Sequence, residues 1–386
     1  MTTLPFNDNS TIRGLISFRK QLHRLAELSG QEKKTSRAIA ERLLQYKPDE
    51  LLTGLGGYGL VARYKASKPG PRLLFRADMD ALPISEDNNF DHRSVTENVS
   101  HKCGHDGHST ILLGLAAALH TNPPARGEVI LLFQPAEETG MGANEVISDP
   151  GFDSIKPDFA FALHNLPGFE KNKIIWRDGN FASASVGIKI ELNGRTAHAS
   201  QPETGISPAI ALANIIRGLQ SLNAQNIKQS DYACVTLTHA RLGEKAVGTA
   251  PGHAIVWATL RSYKDSVLNM LKERSVKIAQ EQAHAFKLNM SYDWQEPFAA
   301  TVNHPECTAV LKEVISKNGF MEQEIEWPFR WSEDFGHFGP LTKTCLFGLG
   351  AGNDHPSLHN PDYDFPDEII RAGIEVFDAI RNHITG

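Results

Sequence analysis

The stretch HKCGHDGH, residues 101–108, concentrates side chains that can bind a metal ion. Cys103 and His105 lie two positions apart, a spacing that in an extended loop can place both side chains on one side. Thiolate and imidazole groups are standard ligands of zinc and of neighbouring transition metals. The alternative is a polar loop that caps the helix after it, with Asp106 or Ser109 as the capping residue. Taken alone, the stretch is equally consistent with both interpretations.

Two adjacent carboxylates form the next candidate group. Glu137 and Glu138 directly follow the apolar run GEVILLFQPA. Neighbouring side chains diverge in direction, so one carboxylate could bind a metal ion while the other serves as a general base. The simpler alternative is a pair of acidic residues that enters a helix, where the helix dipole favours negative charge.

Histidines further along the chain extend the candidate set. His164 ends the apolar run PDFAFALH, a place where a single histidine is more often a core residue than a ligand. His355 and His359 lie in the loop DHPSLHNPDYDFP, and each alone is consistent with a surface position. Together with Cys103 and Glu138, however, they put metal-binding residue types at strand ends and helix-entry loops of one domain, which favours a shared site.

Alternating strands and helices position these residues. Residues 12–46 have helical periodicity, and a helix is predicted from about residue 107 to residue 121. Strands are predicted at GLVARYKA, PRLLFRAD, GEVILLFQPAEE and PDFAFALHN. This alternation predicts an α/β domain with a mixed, largely parallel sheet flanked by helices. Ligands bind beyond the carboxyl ends of such strands, which is where several candidates lie: Asp78, Asp80, Glu137, Glu138 and His164.

The pattern of elements changes at about residue 182. From there the chain predicts the order β-α-β-β-α-β, the ferredoxin-like pattern. Amphipathic helices such as HPECTAVLKEVISKNG and DEIIRAGIEVFDAIRNHI then resemble those of the first part. We therefore predict a discontinuous domain, residues 1–181 and 296–386, that is interrupted by a smaller domain, residues 182–295.

Composition and charge exclude several classes of protein. The formal net charge of −6 gives no reason to expect nucleic acid or an anionic membrane as a partner. The four cysteines are far apart, which argues against a disulfide framework. The N-terminal MTTLPFNDNSTIRG lacks the regions of a signal peptide, and no apolar run approaches the roughly 20 residues of a membrane span. A soluble, cytoplasmic protein is expected.

Six motifs resemble, in order along the chain, those of the di-metal amidohydrolases, the family of aminoacylase and carboxypeptidase G: FRADMDALPISE, HKCGHDGHST, PAEETGMGA, ALHNLPG, GRTAHASQPETGISP and SLHNPDYDF. The most similar branch contains hippurate hydrolases, N-acyl-amino-acid amidohydrolases and hydrolases of indole-acetyl-amino-acid conjugates. The motifs cover essentially the whole chain. The resemblance implies a zinc-peptidase-like catalytic domain with an inserted lid or dimerisation domain.

Carried over residue by residue, the resemblance implies the ligands of two divalent metal ions: Cys103, His105, Glu138, His164 and His359. Glu137 would be the catalytic base. His198, in the GRTAHAS motif, would reach the substrate carbonyl, in its own subunit or in the neighbouring subunit of a homodimer. Asp78 and Asp80 match an acidic pair expected to support the ligands from a second shell.

Four other polar residues receive weaker assignments. Arg261, on a strand of the inserted domain, is a candidate for binding the substrate carboxylate, although a solvent-facing strand residue is the equal alternative. Asn165 is a second candidate for substrate binding. Asp106 and His108 are assigned to the start of the helix. His101 has no assignment, and His355 lies close enough to His359 to compete with it as a ligand.

The resemblance implies metal-dependent hydrolysis of the amide bond of an N-acyl amino acid or a small peptide. Thiolate and imidazole suit zinc, with manganese, cobalt and nickel as alternatives. Two other functions stay open: a thiol amidase with Cys103 as nucleophile, and a binding protein without turnover. Chelators separate the thiol enzyme from the metalloenzyme. The presence of Glu137 beside the ligands argues against the binding protein, since binding alone needs no base.

Overall fold

A computed structural model describes residues 9–224, 226 and 228–386. Residues 1–8, on which part of the signal-peptide prediction rests, lie outside the described residues. Among the residues that are described, none of the helices has the length and apolar character that a membrane span requires.

The described chain forms two compact units. The first comprises the described residues through Phe181 together with Val302–Glu326 and Asp334–Gly386, and the second comprises those of Ala182–Thr301 and Trp327–Glu333. The second unit therefore extends beyond the predicted range 182–295. Its last main strand continues to Phe298, and Ala182 forms a β-bridge with Phe329, a pairing for which the sequence carries no local signal.

The helices and strands have the following bounds. The α-helices are α1 Asn9–Leu25, α2 Lys33–Leu44, α3 His105–Thr121, α4 Gly142–Ser148, α5 Phe152–Ile155, α6 Ala209–Gln220, α7 Asp265–Ala285, α8 Pro305–Asn318 and α9 Ile370–Thr385. The β-strands are β1 Glu50–Leu55, β2 Gly59–Lys65, β3 Arg72–Asp78, β4 Glu128–Gln134, β5 Phe159–Pro167, β6 Ile174–Trp176, β7 Gly179–Ala182, β8 Ala184–Asn193, β9 Ala197–His198, β10 Ala233–Leu242, β11 Thr249–Ala250, β12 His253–Ser262, β13 Asn289–Phe298, β14 Thr301–Asn303, β15 Glu322–Glu324 and β16 Lys343–Gly352. Short 3-10 helices are Pro202–Thr204, Asp334–Phe338 and Asp367–Ile369.

A mixed sheet with the strand order β1-β2-β4-β3-β5-β16-β6-β15 is the centre of the first unit. Strands β4, β3, β5 and β16 are mutually parallel in that order, whereas β1, β2 and β4 pair antiparallel. The prediction of a mixed, largely parallel sheet flanked by helices is confirmed. The parallel arrangement brings the carboxyl ends of β3, β4 and β5 to one edge, as the candidate site requires.

Helix α3 packs against α1, α9 and β3, and almost all of it is buried. Its sequence ILLGLAAAL is apolar all round, which is what a helix covered on every side requires. A Cβ atom at Gly114 would lie 2.2 Å from Cδ1 of Ile374, so glycine permits the close approach of α9. The helix that begins with the candidate ligands is thus fixed rigidly in the core.

The periodic stretch 12–46 folds as α1 and α2 with an irregular segment between them, so a single continuous helix is not present. Gly30 in this segment has a φ of 74°, a left-handed conformation that is incompatible with a continuous right-handed helix. The segment runs beside the residues after β3, where the amide of Ala81 donates a hydrogen bond to the carbonyl of Glu27 at 2.8 Å. The inter-helix segment therefore reaches the edge of the sheet where the site lies.

The second unit has an antiparallel sheet in the order β10-β12-β8-β13, covered by α6 and α7. In chain order the elements are β8, α6, β10, β12, α7 and β13, which is the predicted β-α-β-β-α-β pattern. Buried apolar side chains alternate along β8 at Ile188, Ile190 and Leu192, because one face of this sheet meets the helices. His198 lies on β9, which pairs antiparallel with β11 in a separate two-stranded sheet.

Candidate metal centre

Helix α3 begins at His105, and its N-cap is Gly104 with a φ of 91°. Gly104 itself offers no side-chain cap, but the Asp106 side chain accepts a hydrogen bond from the amide of Gly107 in the first turn at 2.9 Å, in agreement with its assignment to the helix start. The Ser109 hydroxyl donates instead to the carbonyl of Asp78 at 2.8 Å. The left-handed glycine turns the chain sharply between Cys103 and His105, which allows both side chains to face one point.

Cys103, His105 and His164 come together beyond the ends of the strands. One ligand atom from each lies within 4.8 Å of the other two. The Nδ1 of His164 is 2.8 Å from the carbonyl oxygen of Asn165. A carbonyl only accepts hydrogen bonds, so Nδ1 carries the proton and Nε2 presents its lone pair, 3.5 Å from the Cys103 sulfur. Burial holds the pKa of His164 well below its usual range, so the ring is neutral, as a ligand must be.

Asp80 orients His105. One carboxylate oxygen lies 3.2 Å from Nδ1 of His105, and the other accepts hydrogen bonds from the Ser29 hydroxyl at 2.7 Å and the Glu138 amide at 3.0 Å. The Nε2 of His105 is buried and has no hydrogen-bond partner among the described atoms. An unpaired imidazole nitrogen in a polar cluster is the expected state of a metal ligand whose other nitrogen is held by a carboxylate.

Asp78 supports the cluster from behind. Its carboxylate lies 2.7 Å from Nδ1 of His108 and 2.6 Å from a guanidinium nitrogen of Arg76. Burial alone would raise the pKa of Asp78, but the neighbouring histidines and Arg76 hold it well below its usual range. His108 in turn accepts a hydrogen bond from the amide of Asn165 at 3.1 Å through Nε2. His108 therefore links two strand ends, a role that its assignment to the helix start did not include.

The side chain of Asn165, a candidate for substrate binding, bonds to protein groups in this structure. Asn165 is fully buried. Its side-chain nitrogen donates to the carbonyl of Cys103 at 2.7 Å, and its side-chain oxygen accepts from the Tyr363 hydroxyl at 2.5 Å. Through these two contacts Asn165 holds the Cys103 loop and the C-terminal loop together. The contribution of Tyr363 was missed, since no local pattern links residues so distant in the chain.

Glu138 faces His105 and His359 across the same space. Its carboxylate oxygens lie 3.7 Å from Nε2 of His105 and 3.8 Å from Nε2 of His359. One of these oxygens, Oε1, is buried with no hydrogen-bond partner among the described atoms. Burial raises the pKa of Glu138 to about 8, so an ionised carboxylate here needs a cation beside it.

His359 approaches from the C-terminal loop and is half exposed, with 51% of its side chain accessible. Its backbone has a φ of 66°, and its amide donates to the carbonyl of Lys102 at 2.7 Å. This bond ties the loop directly to the HKCGHDGH stretch. His359 forms a second cluster of ligand atoms with Cys103 and Glu138.

The predicted ligands thus form two clusters that share one thiol: Cys103, His105 and His164 in the first, and Cys103, Glu138 and His359 in the second. Sulfur, imidazole nitrogen and carboxylate oxygen together suit zinc and related transition metals. Burial and the nearby carboxylates raise the pKa of the Cys103 thiol well above its usual range, so only a bound cation would make this thiolate stable. The donor types and the two unpaired atoms fit a pair of divalent ions.

Glu137 is buried beside these clusters, with Oε2 3.9 Å from Nε2 of His105. Its other oxygen accepts a long hydrogen bond, 3.4 Å, from the amide of Asp334. Asp334 is itself held by Arg76 at 2.6 Å and by the side-chain nitrogen of Gln134. This buried ion pair was not found from the sequence, because its partners are 258 positions apart.

A second group of buried charges lies behind the helix start. Arg19 contacts Asp106 at 3.3 Å and Asp364 at 2.6 Å, and His23 contacts Asp106 at 2.9 Å. Burial alone would lower the pKa of His23, but its acidic partners raise it to about 9. His23, Asp106 and Asp364 could also arrange as metal ligands, yet the Arg19 guanidinium already supplies the positive charge among them. This group is therefore structural.

Lys102, in the HKCGHDGH stretch, forms further buried polar contacts. Its buried ammonium donates to Glu86 at 2.6 Å, to the Asn88 side chain at 2.7 Å and to the carbonyl of Tyr363 at 2.7 Å. The neighbouring residue, His101, is buried and has no hydrogen-bond partner for either ring nitrogen among the described atoms. Neither residue was assigned a role from the sequence, since a buried lysine looks like any surface lysine in a sequence.

The other predicted site residues lie elsewhere. His198 and Arg261 belong to the second unit, where His198 is exposed and bonds through Nδ1 to the Ser200 hydroxyl at 2.7 Å. A guanidinium nitrogen of Arg261 donates to the carbonyl of Arg330 and to the Ser332 hydroxyl, both at 2.7 Å. His355, in the first unit, bonds to the carbonyl of Asp364 at 2.7 Å through Nε2, so that nitrogen is not free to compete with His359.

A mixed α/β sheet that gathers thiol, imidazole and carboxylate donors beside a second buried carboxylate defines the metallohydrolase class. The chain belongs to the peptidase family M20/M25/M40, whose sequence profile matches residues 74–382. The resemblance to the di-metal amidohydrolases is thereby confirmed at the level of the family.

Two curated relatives and one solved structure illustrate the match. The chain is 32% identical over 355 residues to a hippurate hydrolase from Campylobacter jejuni, with 91% of each chain covered. It is 29% identical over 383 residues to an N-acetyl-L-cysteine deacetylase from Bacillus subtilis, which covers 98% of this chain and 90% of the relative. It superposes with a TM-score of 0.82 on a dinuclear metal-binding peptidase of the M20 family from Bacillus subtilis, with 24% identity, 98% of this chain and 99% of that chain covered. This last likeness shows the fold.

Proposed function

We propose that the protein is a metal-dependent amidohydrolase that cleaves the amide bond of N-acyl amino acids or small peptides. The observation that carries this proposal is the placement of buried Glu137 beside two clusters of ligand atoms that share the thiol of Cys103. The relatives support the substrate class, since hippurate and N-acetyl-L-cysteine are both N-acyl amino acids.

The metal centre would hold two divalent ions through the five predicted ligands: Cys103, His105, Glu138, His164 and His359. Zinc suits this donor set, and manganese, cobalt and nickel are the alternatives. When bound, the ions supply Lewis acidity that polarises a water molecule and the scissile carbonyl. Asp80 keeps the His105 ring oriented, as the carboxylate partner of a metal-binding histidine does. Asp78 holds His108, which in turn accepts a hydrogen bond from the amide of Asn165 next to His164.

Glu137 acts as the general base. Its carboxylate takes a proton from the attacking water and later delivers that proton to the leaving nitrogen, so one residue serves both steps. The amide of Asp334 holds one oxygen of Glu137, which leaves the other directed to the ligand clusters. The buried position excludes bulk water from the base and so strengthens its interaction with the developing charges.

His198 donates a hydrogen bond to the developing oxyanion, either in its own subunit or in the partner of a homodimer formed through the second unit. We expect His198→Ala to lower kcat by about 100- to 1,000-fold, the loss found when one oxyanion donor is removed. Metal content should not change, because His198 is in neither ligand cluster. His239→Ala is the matched control, since His239 is an exposed histidine of the same unit.

Mixing two inactive variants tests the homodimer. If His198 acts across a dimer, a mixture of His198→Ala and Glu137→Gln chains should regain activity, because hybrid dimers contain one site with both wild-type residues. Size-exclusion chromatography with light scattering gives the oligomeric state of the same samples. A monomer, or a dimer whose mixture stays inactive, would assign His198 to its own subunit.

Metal quantification with a substrate screen tests the proposed function. We expect two metal ions per chain by plasma mass spectrometry and hydrolysis within a panel of N-acetyl-, N-benzoyl- and indole-acetyl-amino acids. Treatment with dipicolinate should remove the ions and the activity together, and zinc, manganese, cobalt or nickel should restore activity. Full activity with fewer than two ions per chain would contradict the binuclear centre.

The thiol amidase is the less favoured alternative. Burial and neighbouring carboxylates raise the pKa of the Cys103 thiol, whereas a nucleophilic cysteine needs a lowered pKa. The nearby His164 is kept neutral by burial and cannot stabilise a thiolate by its charge. Activity that survived complete removal of metal would favour the thiol mechanism over the one proposed.

A further inference from the structure

We infer that Glu32 is a positioning residue that holds the turn before Glu137 and Glu138 in the conformation that directs both carboxylates to the metal centre, an inference that rests on the proposed function. Glu32 lies in the segment between α1 and α2, more than a hundred positions from that turn. None of the sequence motifs includes it.

The turn needs support because Ala136 has a φ of 54°. A left-handed conformation is unfavourable for a residue with a Cβ atom, and surrounding contacts must maintain it. Ala136 immediately precedes the proposed base and the proposed ligand. If its backbone relaxed to a common conformation, Glu137 and Glu138 would both change direction.

Glu32 supplies the contact at the residue that is strained. Its Oε1 accepts hydrogen bonds from the amide of Ala136 at 2.8 Å and from the amide of Gly30 at 2.9 Å. The side chain is fully buried, so water cannot replace it as acceptor. A buried amide left without an acceptor is unfavourable, so the conformation of the turn depends on this carboxyl group.

The same segment holds the turn at a second point. The Ser29 hydroxyl donates to Asp80, and the other contact of that carboxylate oxygen is the amide of Glu138. The segment from Ser29 to Glu32 thus reaches both sides of Glu137, through Ala136 before it and, by way of Asp80, through Glu138 after it. The inter-helix segment therefore holds the backbone on both sides of Glu137 and so positions the two carboxylates.

The acceptor role does not require ionisation. Burial raises the pKa of Glu32 to about 7, and the negative charge of Asp80 acts in the same direction. Both the carboxylate and the carbonyl oxygen of the protonated acid can accept the amide bond from Ala136. Glutamine keeps such an oxygen, so Glu32→Gln is the conservative variant, whereas leucine keeps the approximate size and removes the acceptor.

The test compares Glu32→Leu with Glu27→Leu in the full-length, metal-loaded protein. Glu27 lies in the same segment, but its carboxylate accepts from the amides of Lys34 and Thr35 at the start of α2 and does not contact the turn. We expect Glu32→Leu to lower kcat about 100-fold, as small misplacements of catalytic groups do, with KM nearly unchanged. Its metal content should fall from two ions toward one, because Glu138 is displaced. Glu27→Leu should keep two ions and most of its kcat.

Two rescue variants show that the effect passes through the turn. Glu32→Gln should restore kcat and metal content close to wild type. Ala136→Gly in the Glu32→Leu background should recover part of the lost kcat, because glycine adopts a positive φ without strain. If Glu32→Leu does not fold alone, this double variant decides: a folded double variant with activity supports the inference, and one that is inactive or unfolded overturns it.

Other results also overturn the inference. The first is a folded Glu32→Leu protein that binds two ions and has the same kcat as Glu27→Leu. The second is a Glu32→Gln protein whose kcat and metal content are as low as those of Glu32→Leu. Failure of the proposed function would give a different result from failure of the inference about Glu32. A wild-type protein that bound two ions but cleaved no N-acyl amino acid would refute that function, while the metal content of the two leucine variants would still test the role of Glu32.

Discussion

Glu137→Gln is expected to lower kcat strongly while both metal ions stay bound. Glutamine has the size of glutamate and keeps an oxygen that can accept the amide of Asp334, but it cannot accept a proton from water. A positioned general base contributes roughly 100- to 10,000-fold, so kcat should fall within that range with little change in KM. Steady-state kinetics on the best substrate of the screen, together with metal analysis of the same sample, measure both quantities.

Glu145→Gln is the matched control for this variant. Glu145 is an exposed glutamate on α4, a few positions after the base, and it belongs to neither ligand cluster. We expect it to keep wild-type kcat and metal content. If Glu137→Gln retained full activity with normal metal content, Glu137 would not be the base, and a different group would have to take the proton.

The residues that are informative in the sequence are those whose chemistry is concentrated in short motifs. Cys103, His105, Glu137 and Glu138 belong to tight local groups at the ends of apolar runs, so residue type and position together indicate a metal site. The parallel order of β4, β3 and β5 then brings these groups to one edge. The alternation of apolar strands and helices predicted the fold class, and the resemblance of six motifs to the di-metal amidohydrolases predicted the family.

The residues that hold the site could not be predicted in the same way. Arg76 on β3 and Asp334 at the start of a 3-10 helix form an ion pair although they are far apart in the sequence. Lys102 is buried because Glu86 and two oxygen acceptors surround its ammonium group. Such contacts depend on tertiary packing, which local patterns do not encode. The left-handed conformation of Gly104 at the N-cap could not be predicted for a related reason, since a φ angle is not visible in a sequence.

Asn165 shows that two neighbouring residues on a strand can face different surroundings. It follows His164 at a strand end, and alternation along a strand puts successive side chains on opposite faces. The histidine therefore faces the ligand cluster, while the asparagine turns to Cys103 and Tyr363. Adjacent positions in the sequence can therefore have different surroundings in the folded protein.

Cys103→Ala is expected to remove both metal ions, with the activity that depends on them. Its sulfur is the one ligand atom present in both clusters, so its loss leaves His105 and His164 on one side and Glu138 and His359 on the other. Losing even an outer partner of a metal ligand weakens metal binding about 10- to 100-fold, and losing a shared ligand should cost at least that factor for each ion. Plasma mass spectrometry after gel filtration measures the ions that remain.

Cys307→Ala separates loss of a ligand from loss of a buried thiol. Cys307 is fully buried in the core of the same unit and belongs to none of the clusters named above. It should lose some stability through a small cavity and keep both ions. In a thiol amidase, by contrast, Cys103→Ala would be inactive with its metal content unchanged. The metal content of the inactive Cys103→Ala protein therefore distinguishes a shared ligand from a nucleophile, since activity is lost under both mechanisms and the ions are lost under only one.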